Sequence, residues 1–309
     1  METRMIGQLA VSVVGLGCNN FGGRIDLDAT RAVVDAALDE GINFFDTADI
    51  YGGTKSEELL GQVLAGRRDD VIVATKFGMG DGTTLPAGAS AASVVAAAEG
   101  SLRRLAMDHI DLYQLHLPDD KTPIDETLEA MDRLVRDGKV REIGCSNFDG
   151  ARLDEASSSA DAHGTARFES VQNELSLLRR RGEADLVAAC ERHGLAILPF
   201  FPLASGMLTG KYRRGEEPPA GTRLAGMDDE RRERALSDKR FDTVEALDAF
   251  ARERGHTLLE LAMSWLVGVP HLASVIAGAT KPEQVRANVA AVSWTLTDDD
   301  RARVDELTL

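Results

Sequence analysis

Eight short apolar stretches, each followed by a helix-forming segment, govern what this chain can fold into. They begin near Val13, Asn43, Val71, Ile110, Glu142, Glu169, Leu195 and Ala273. Short apolar runs bounded by glycine and polar clusters suit strands buried on both faces. Their regular alternation with helical patterns predicts a parallel sheet covered by helices. Eight such units predict an α/β fold of the (β/α)8 TIM-barrel kind, and a chain of 309 residues is a usual size for one such domain spanning residues 1–309. Thr3 to Ser12 alternates weakly around Gly7-Gln8, as a β-hairpin ahead of the barrel would.

Local punctuation agrees with this plan. Gly41, Gly66, Gly138 and Gly194 stand where helices would end in a left-handed residue. Thr122-Pro123 reads as an N-cap followed by a first-turn proline, and Thr280-Lys281-Pro282-Glu283 has capping-box form. Helices are expected near Phe241–Arg254 and Thr257–Val267. The connection after the seventh strand, from Phe201 to Lys239, is too long for an ordinary strand-to-helix loop, so it reads as a lid or an inserted subregion.

Three of the strands end in unusual residues. Asn43-Phe44-Phe45 runs into Asp46, Val71-Ile72-Val73-Ala74-Thr75 into Lys76, and the strand from Ile110 into His116. Tyr51 follows Asp46 in its loop. Singly, each has a bland explanation: a turn-capping acid, a snorkelling lysine, a packed phenol, one structural histidine among six. Together they occupy the C-terminal ends of successive strands, the face on which such barrels carry their chemistry. A free phenol gives up its proton only at about pH 10. A nearby ammonium lowers that value, and Asp46 would hold Lys76 in place as its ion-pair partner. An imidazole beside the phenol can steady the charge developing on a substrate oxygen. The set suits delivery of a proton to oxygen.

Composition narrows the partners. The apolar fraction of 43% and charged fraction of 28% describe an ordinary globular chain, and the formal net charge of −16 argues against nucleic acid or an anionic membrane surface. No apolar run is long enough to span a bilayer, and the first residues lack a signal pattern. Cys18, Cys145 and Cys190 are odd in number and far apart, which suggests reduced thiols and a cytoplasmic location. No spacing of histidines, cysteines or carboxylates suggests a metal. Gly15-Leu16-Gly17-Cys18-Asn19-Asn20 lacks the third glycine of a dinucleotide fingerprint, and Gly206–Tyr212 is one residue short of a P-loop.

The run Asp46-Thr47-Ala48-Asp49-Ile50-Tyr51-Gly52, with Ala74-Thr75-Lys76 and Leu115-His116, resembles the signatures of the aldo-keto reductases. The likeness extends through Gly144-Cys145-Ser146-Asn147-Phe148, Val171-Gln172-Asn173-Glu174, the segment Pro202–Tyr212, and Gly278–Val285. It implies an NADP(H)-dependent oxidoreductase that reduces an aldehyde or ketone, or oxidises an alcohol. Tyr51 would be the general acid/base, helped by Asp46 and Lys76, with His116 orienting the carbonyl. Ser146, Asn147 and Gln172 would bind the nicotinamide carboxamide, and Phe200 would stack on its ring in place of a more common tyrosine. Lys211 would hold the pyrophosphate, and Lys281, Gln284 and Asn288 the 2′-phosphate and adenine. Gly17, Cys18, Asn19, Pro202, Leu203, Ala204, Gly206, Gly278 and Thr280 would complete the NADPH site, and Phe21 and Phe77 would meet the substrate. Potassium-channel β subunits share this fold and cofactor site, so a nucleotide-sensing regulatory role is the alternative that the resemblance implies.

Overall fold

The computed structural model describes residues 1–309. The chain opens with an antiparallel hairpin, β1 (Thr3–Ile6) and β2 (Leu9–Ser12), in which Thr3 pairs with Ser12 and Ile6 with Leu9. The barrel units follow as β3 (Val14–Gly17), α1 (Leu27–Asp39), β4 (Phe44–Asp46), α2 (Lys55–Leu64), β5 (Ile72–Phe77), α3 (Ala91–Leu105), β6 (Ile110–Leu115) and α4 (Ile124–Arg136). Next come β7 (Val140–Ser146), α5 (Gly150–His163), β8 (Ser170–Glu174), α6 (Glu183–His193) and β9 (Ala196–Phe200). After β9 the chain forms α7 (Asp229–Ala235), α8 (Asp238–Glu253) and α9 (Leu258–Val267), then β10 (Val275–Gly278), α10 (Pro282–Ala290) and α11 (Asp298–Thr308).

The eight strands β3 to β10 lie in one sheet, all neighbours parallel, with β10 returning to pair with β3. A bridge between Ile197 and Leu272 joins the β9 edge to the approach to β10 and closes the ring. The fold is therefore a (β/α)8 barrel with an N-terminal hairpin. Every barrel strand starts within two residues of its expected place.

Side chains alternate along a strand, and here the alternation sorts interior from shell. Phe44, Ile72, Ala74, Leu112 and Leu198 fill the barrel interior together with Ile6, Leu9 and Val11 of the hairpin, which seals the floor. The outward set, including Phe45, Val73, Phe77 and Tyr113, packs in the larger core shared with the helices. Helices α2 and α3 meet almost backbone to backbone at Gly61, where an added Cβ would stand 2.3 Å from the Leu105 carbonyl oxygen.

Local departures have local causes. Helix α4 starts at Ile124 with Pro123 in the cap position, because the Thr122 hydroxyl is committed to Asp119 at 2.8 Å. No capping box forms at α10: Lys281 is the cap residue, and Thr280 donates through both its N–H and its hydroxyl to Gln284 Oε1. Reciprocal capping boxes occur instead at Thr257 with Glu260 and at Thr297 with Asp300. The long connection after β9 is not bare loop. It holds 3-10 turns at Ala204–Thr209 and Leu224–Gly226, then α7, and α8 begins at Asp238 rather than Phe241. No helix is long and apolar enough to cross a membrane. All three cysteines are buried and unpaired, and no cluster with metal-ligand spacing exists.

Candidate active site

The C-terminal mouth of the barrel opens into a cavity of about 760 Å³. Strand alternation decides which side chains reach it. Along β5, Ile72, Ala74 and Lys76 share the inward parity, and along β6 so do Leu112, Gln114 and, just past its end, His116. Asp46 completes the inward set as the last residue of β4; it belongs to the strand rather than to the loop after it. Lys76 Nζ donates to Asp46 Oδ2 at 2.6 Å and to the Thr47 carbonyl at 2.9 Å. The other Asp46 oxygen accepts from Gln172 Nε2 at 2.8 Å and from Gln114 Nε2 at 3.2 Å. A fully buried ammonium is stable only with such partners.

Tyr51 stands over this pair, its ring centre 5.1 Å from Lys76 Nζ and 5.9 Å from the His116 ring, which it meets edge-on. Burial pushes the Tyr51 phenol up, and the Lys76 charge pulls against it without reversing the shift. Burial alone would pull Lys76 down, but Asp46 and Tyr51 together hold its pKa above the ordinary lysine value. Burial, with a smaller push from Lys76, drives His116 down to about 3, so its imidazole is neutral at ordinary pH. The expectation that the ammonium depresses the phenol pKa outright is thus corrected: desolvation outweighs it, and the ammonium limits the rise.

Beside this quartet lies a polar shelf. Ser146 Oγ donates to the Gln172 carbonyl at 2.7 Å, and Asn147 Nδ2 donates to the His116 carbonyl and to Ser146 Oγ, both at 3.0 Å. Asn147 takes a left-handed backbone, φ 62°, to turn its amide into this arrangement. With their amino groups engaged, Asn147 and Gln172 leave their side-chain carbonyl oxygens as free acceptors. Phe200 lines the cavity beyond them, and past it come Pro202, Leu203, Gly206 and Lys211. An added Cβ on Gly206 would stand 2.6 Å from Lys211 Nζ, so glycine is what lets that ammonium lie along the loop. Gly17, paired with Asp46 in the sheet, also lines the cavity, as do Asn19, Gly278, Thr280, Lys281, Gln284 and Asn288.

Five expected residues do not line the cavity. Phe77 has outward parity on β5 and stacks on Tyr113 with ring centres 4.6 Å apart, and Phe21 is fully buried in the core. Both were expected to meet substrate, and their packing removes them from that role. Cys18 lies buried behind Asp46, to whose carbonyl its N–H donates at 2.8 Å, and Ala204 packs against the core. Lys76 is also fully buried, in contact with Asp46 and under the Tyr51 ring. In turn the structure places residues that the sequence reading missed beneath the cavity, as with the buried Gln114, or on its wall, as with Arg24 and Arg223. Gln114 supports Asp46 and was recoverable from its parity with Leu112 and His116. Arg24 and Arg223 had no such signal, since only the fold brings the first strand-to-helix loop against the connection after β9. Arg24 donates to the Gly221 carbonyl at 2.8 Å, and the Arg223 guanidinium lies 4.9 Å from the centre of the Phe201 ring.

The cavity wall carries four full cations, Arg24, Lys211, Arg223 and Lys281, against one carboxylate, Asp46. Burial and the neighbouring Arg24 and Arg223 pull the Lys211 ammonium down, the mark of cations gathered without a counter-charge. On a chain with net charge −16, such a concentration suits an anionic ligand.

The aldo/keto reductase family model matches residues 13–308. The chain belongs to the aldo/keto reductase family. It is 36% identical over 310 residues to the uncharacterized oxidoreductase YrpG of Bacillus subtilis, covering 96% of this chain and 92% of that one. A probable voltage-gated potassium channel subunit beta of Arabidopsis thaliana is 32% identical, covering 94% and 91% respectively. L-glyceraldehyde 3-phosphate reductase of Escherichia coli O157:H7 is 29% identical, covering 99% and 92%.

Proposed function

We propose that this aldo/keto reductase is an NADPH-dependent carbonyl reductase in which Tyr51 delivers the proton. The observation that carries the reading is the continuity of one cavity, from Tyr51, Asp46 and His116 past the amide shelf to the four cations. The free acceptors on Asn147 and Gln172 fit the amino hydrogens of a carboxamide, and Phe200 offers a ring face for stacking. Lys211 and Arg223 fit a pyrophosphate. Lys281, in the cap position of α10, fits a 2′-phosphate held at a helix N-terminus. A nicotinamide bound there supplies hydride. Tyr51 and His116 then converge on the substrate oxygen: the neutral imidazole donates a hydrogen bond and the phenol transfers its proton. Lys76 stabilises the phenolate left behind, and Asp46, braced by Gln114 and Gln172, keeps Lys76 charged. The connection after β9 covers the cavity and excludes water from this exchange.

Incubation with NADPH and a panel of aldehydes and ketones, read by loss of reduced-nicotinamide absorbance, tests the reading. Turnover of at least one carbonyl supports it. Tight NADPH binding with no turnover across the panel would favour the nucleotide-sensing alternative, which the potassium-channel relatives bring into view.

A further inference from the structure

The loop between Asp46 and Tyr51 holds a second carboxyl that the proton-delivery scheme does not use. Asp49 is fully buried, and neither of its side-chain oxygens has a hydrogen-bond partner. The Ile50 N–H faces it without reaching hydrogen-bond geometry. Yet the loop is stitched to β5 at this residue: the Asp49 N–H donates to the Lys76 carbonyl at 3.2 Å, and Tyr51 N–H donates to Ala48 at 3.2 Å.

The groups packed around Asp49 leave it no cation. From α2 comes Glu57, fully buried, accepting from the Thr75 hydroxyl and from Arg104, both at 2.6 Å. Helix α3 contributes Arg104, whose charge that pair uses. Lys76 on β5 is paired with Asp46. On β6 the Tyr113 phenol is neutral and donates to the Val94 carbonyl at 3.1 Å. Two carboxylates, Asp46 and Glu57, already balance two cations, Lys76 and Arg104. An ionised Asp49 would leave one uncompensated negative charge in the shell behind the proton donor.

We propose that Asp49 is a positioning residue, a buried neutral carboxylic acid whose protonated state keeps the Asp46–Tyr51 loop seated on Lys76. Burial first, then the Glu57 charge, push its acid up to about 7, against weaker pulls from Arg104, the Ile50 amide and Lys76. Ionisation would set a second carboxylate competing with Asp46 for Lys76, weakening the ammonium's hold on the Tyr51 phenolate. The catalytic part of this inference rests on the reductase reading; the protonation state does not.

The sign of the effect follows from the unfolded chain, where an aspartate ionises at about pH 4. Wild type loses stability relative to Asp49→Asn as pH rises from there to about 7, and the gap is constant above that. Thermal unfolding of both proteins from pH 4.5 to 8.5 should show the Tm advantage of Asp49→Asn growing by about 2–6 °C and then levelling off. Infrared difference spectra at pH 6 should contain a protonated-carboxyl stretch in wild type that is missing from the variant. The ratio of variant to wild-type turnover should rise about threefold or more between pH 6 and 8.5. A Tm gap that ignores pH, or an absent carboxyl band, overturns the proposal whatever the turnover. A pH-dependent gap with a flat turnover ratio overturns the positioning role. If neither protein reduces any carbonyl, the reductase reading fails, and fluorescence-monitored NADPH affinity, falling above pH 7 in wild type alone, takes the place of turnover as the readout of loop seating. Asp49→Ser, smaller and neutral, repeats the measurements if Asp49→Asn does not fold.

Discussion

At Tyr51 the proposed proton transfer depends on one oxygen. Tyr51→Phe keeps the ring against His116 and Lys76 but removes the transferable proton, so turnover should fall by about 10²–10⁴-fold. NADPH affinity should hardly change, because Tyr51 lies at the catalytic end of the cavity; stopped-flow turnover with parallel cofactor titration checks both. Retention of more than half the activity under chemistry-limited conditions would remove Tyr51 from the proton-donor role. Lys281 works at the opposite end, where its charge would meet the 2′-phosphate and nothing else of the cofactor. A charge-assisted hydrogen bond contributes about 1.5–3 kcal/mol, so Lys281→Ala should weaken NADPH binding roughly 10- to 150-fold. NADH, lacking the phosphate, should shift by less than about twofold. Equal losses for both cofactors in a fluorescence titration would sink the assignment. The same two residues illustrate what sequence can carry: Lys281 sits at a helix start, and Tyr51 lies in the short loop that follows a strand end marked by periodicity. Arg24 and Arg223 sit in loops, where no period exists, and their meeting depends on how the connection after β9 folds back.

Among the elements, the strands were legible because burial on both faces leaves continuous apolar runs with charged ends. Their parity also held the answer for Phe77, which alternation sends outward to Tyr113 once the register from Ile72 is counted. Phe21 lies in a loop and offered no such count. Helix starts were harder, because several side chains compete for the same free N–H groups. Thr122 is drawn off by Asp119, and at α10 Gln284 takes the acceptor role that a glutamate was expected to fill. Helix α9 depends on a full capping box, in which Thr257 Oγ1 accepts from Glu260 N–H at 3.2 Å and the Glu260 carboxylate accepts from Thr257 N–H at 2.7 Å. Thr257→Ala removes half of that exchange and should cost about 1 kcal/mol, seen as a lower denaturant midpoint with an unchanged slope. A midpoint equal to wild type would mean that packing alone, through the buried Leu258 and Leu261, sets where α9 begins.

Across the whole molecule, floor and mouth do separate work. The hairpin seals the floor with Ile6, Leu9 and Val11, while every group proposed for chemistry stands at the mouth. Ile6→Ala should therefore cost about 2–4 kcal/mol by opening a cavity, yet leave KM for carbonyl substrates within about twofold. A large change in KM with stability intact would show that the two ends are coupled through the barrel interior. Gly61 places a different demand on the chain. Any replacement there begins with a Cβ that collides with the Leu105 carbonyl, and relief would prise apart the helices that bring Glu57 to Arg104. In the currency of inheritance, every missense change in that one codon arrives as a backbone clash, alanine and serine included. A library of variants selected for function should thus be nearly as bare at this unreactive glycine as at the phenol it never touches.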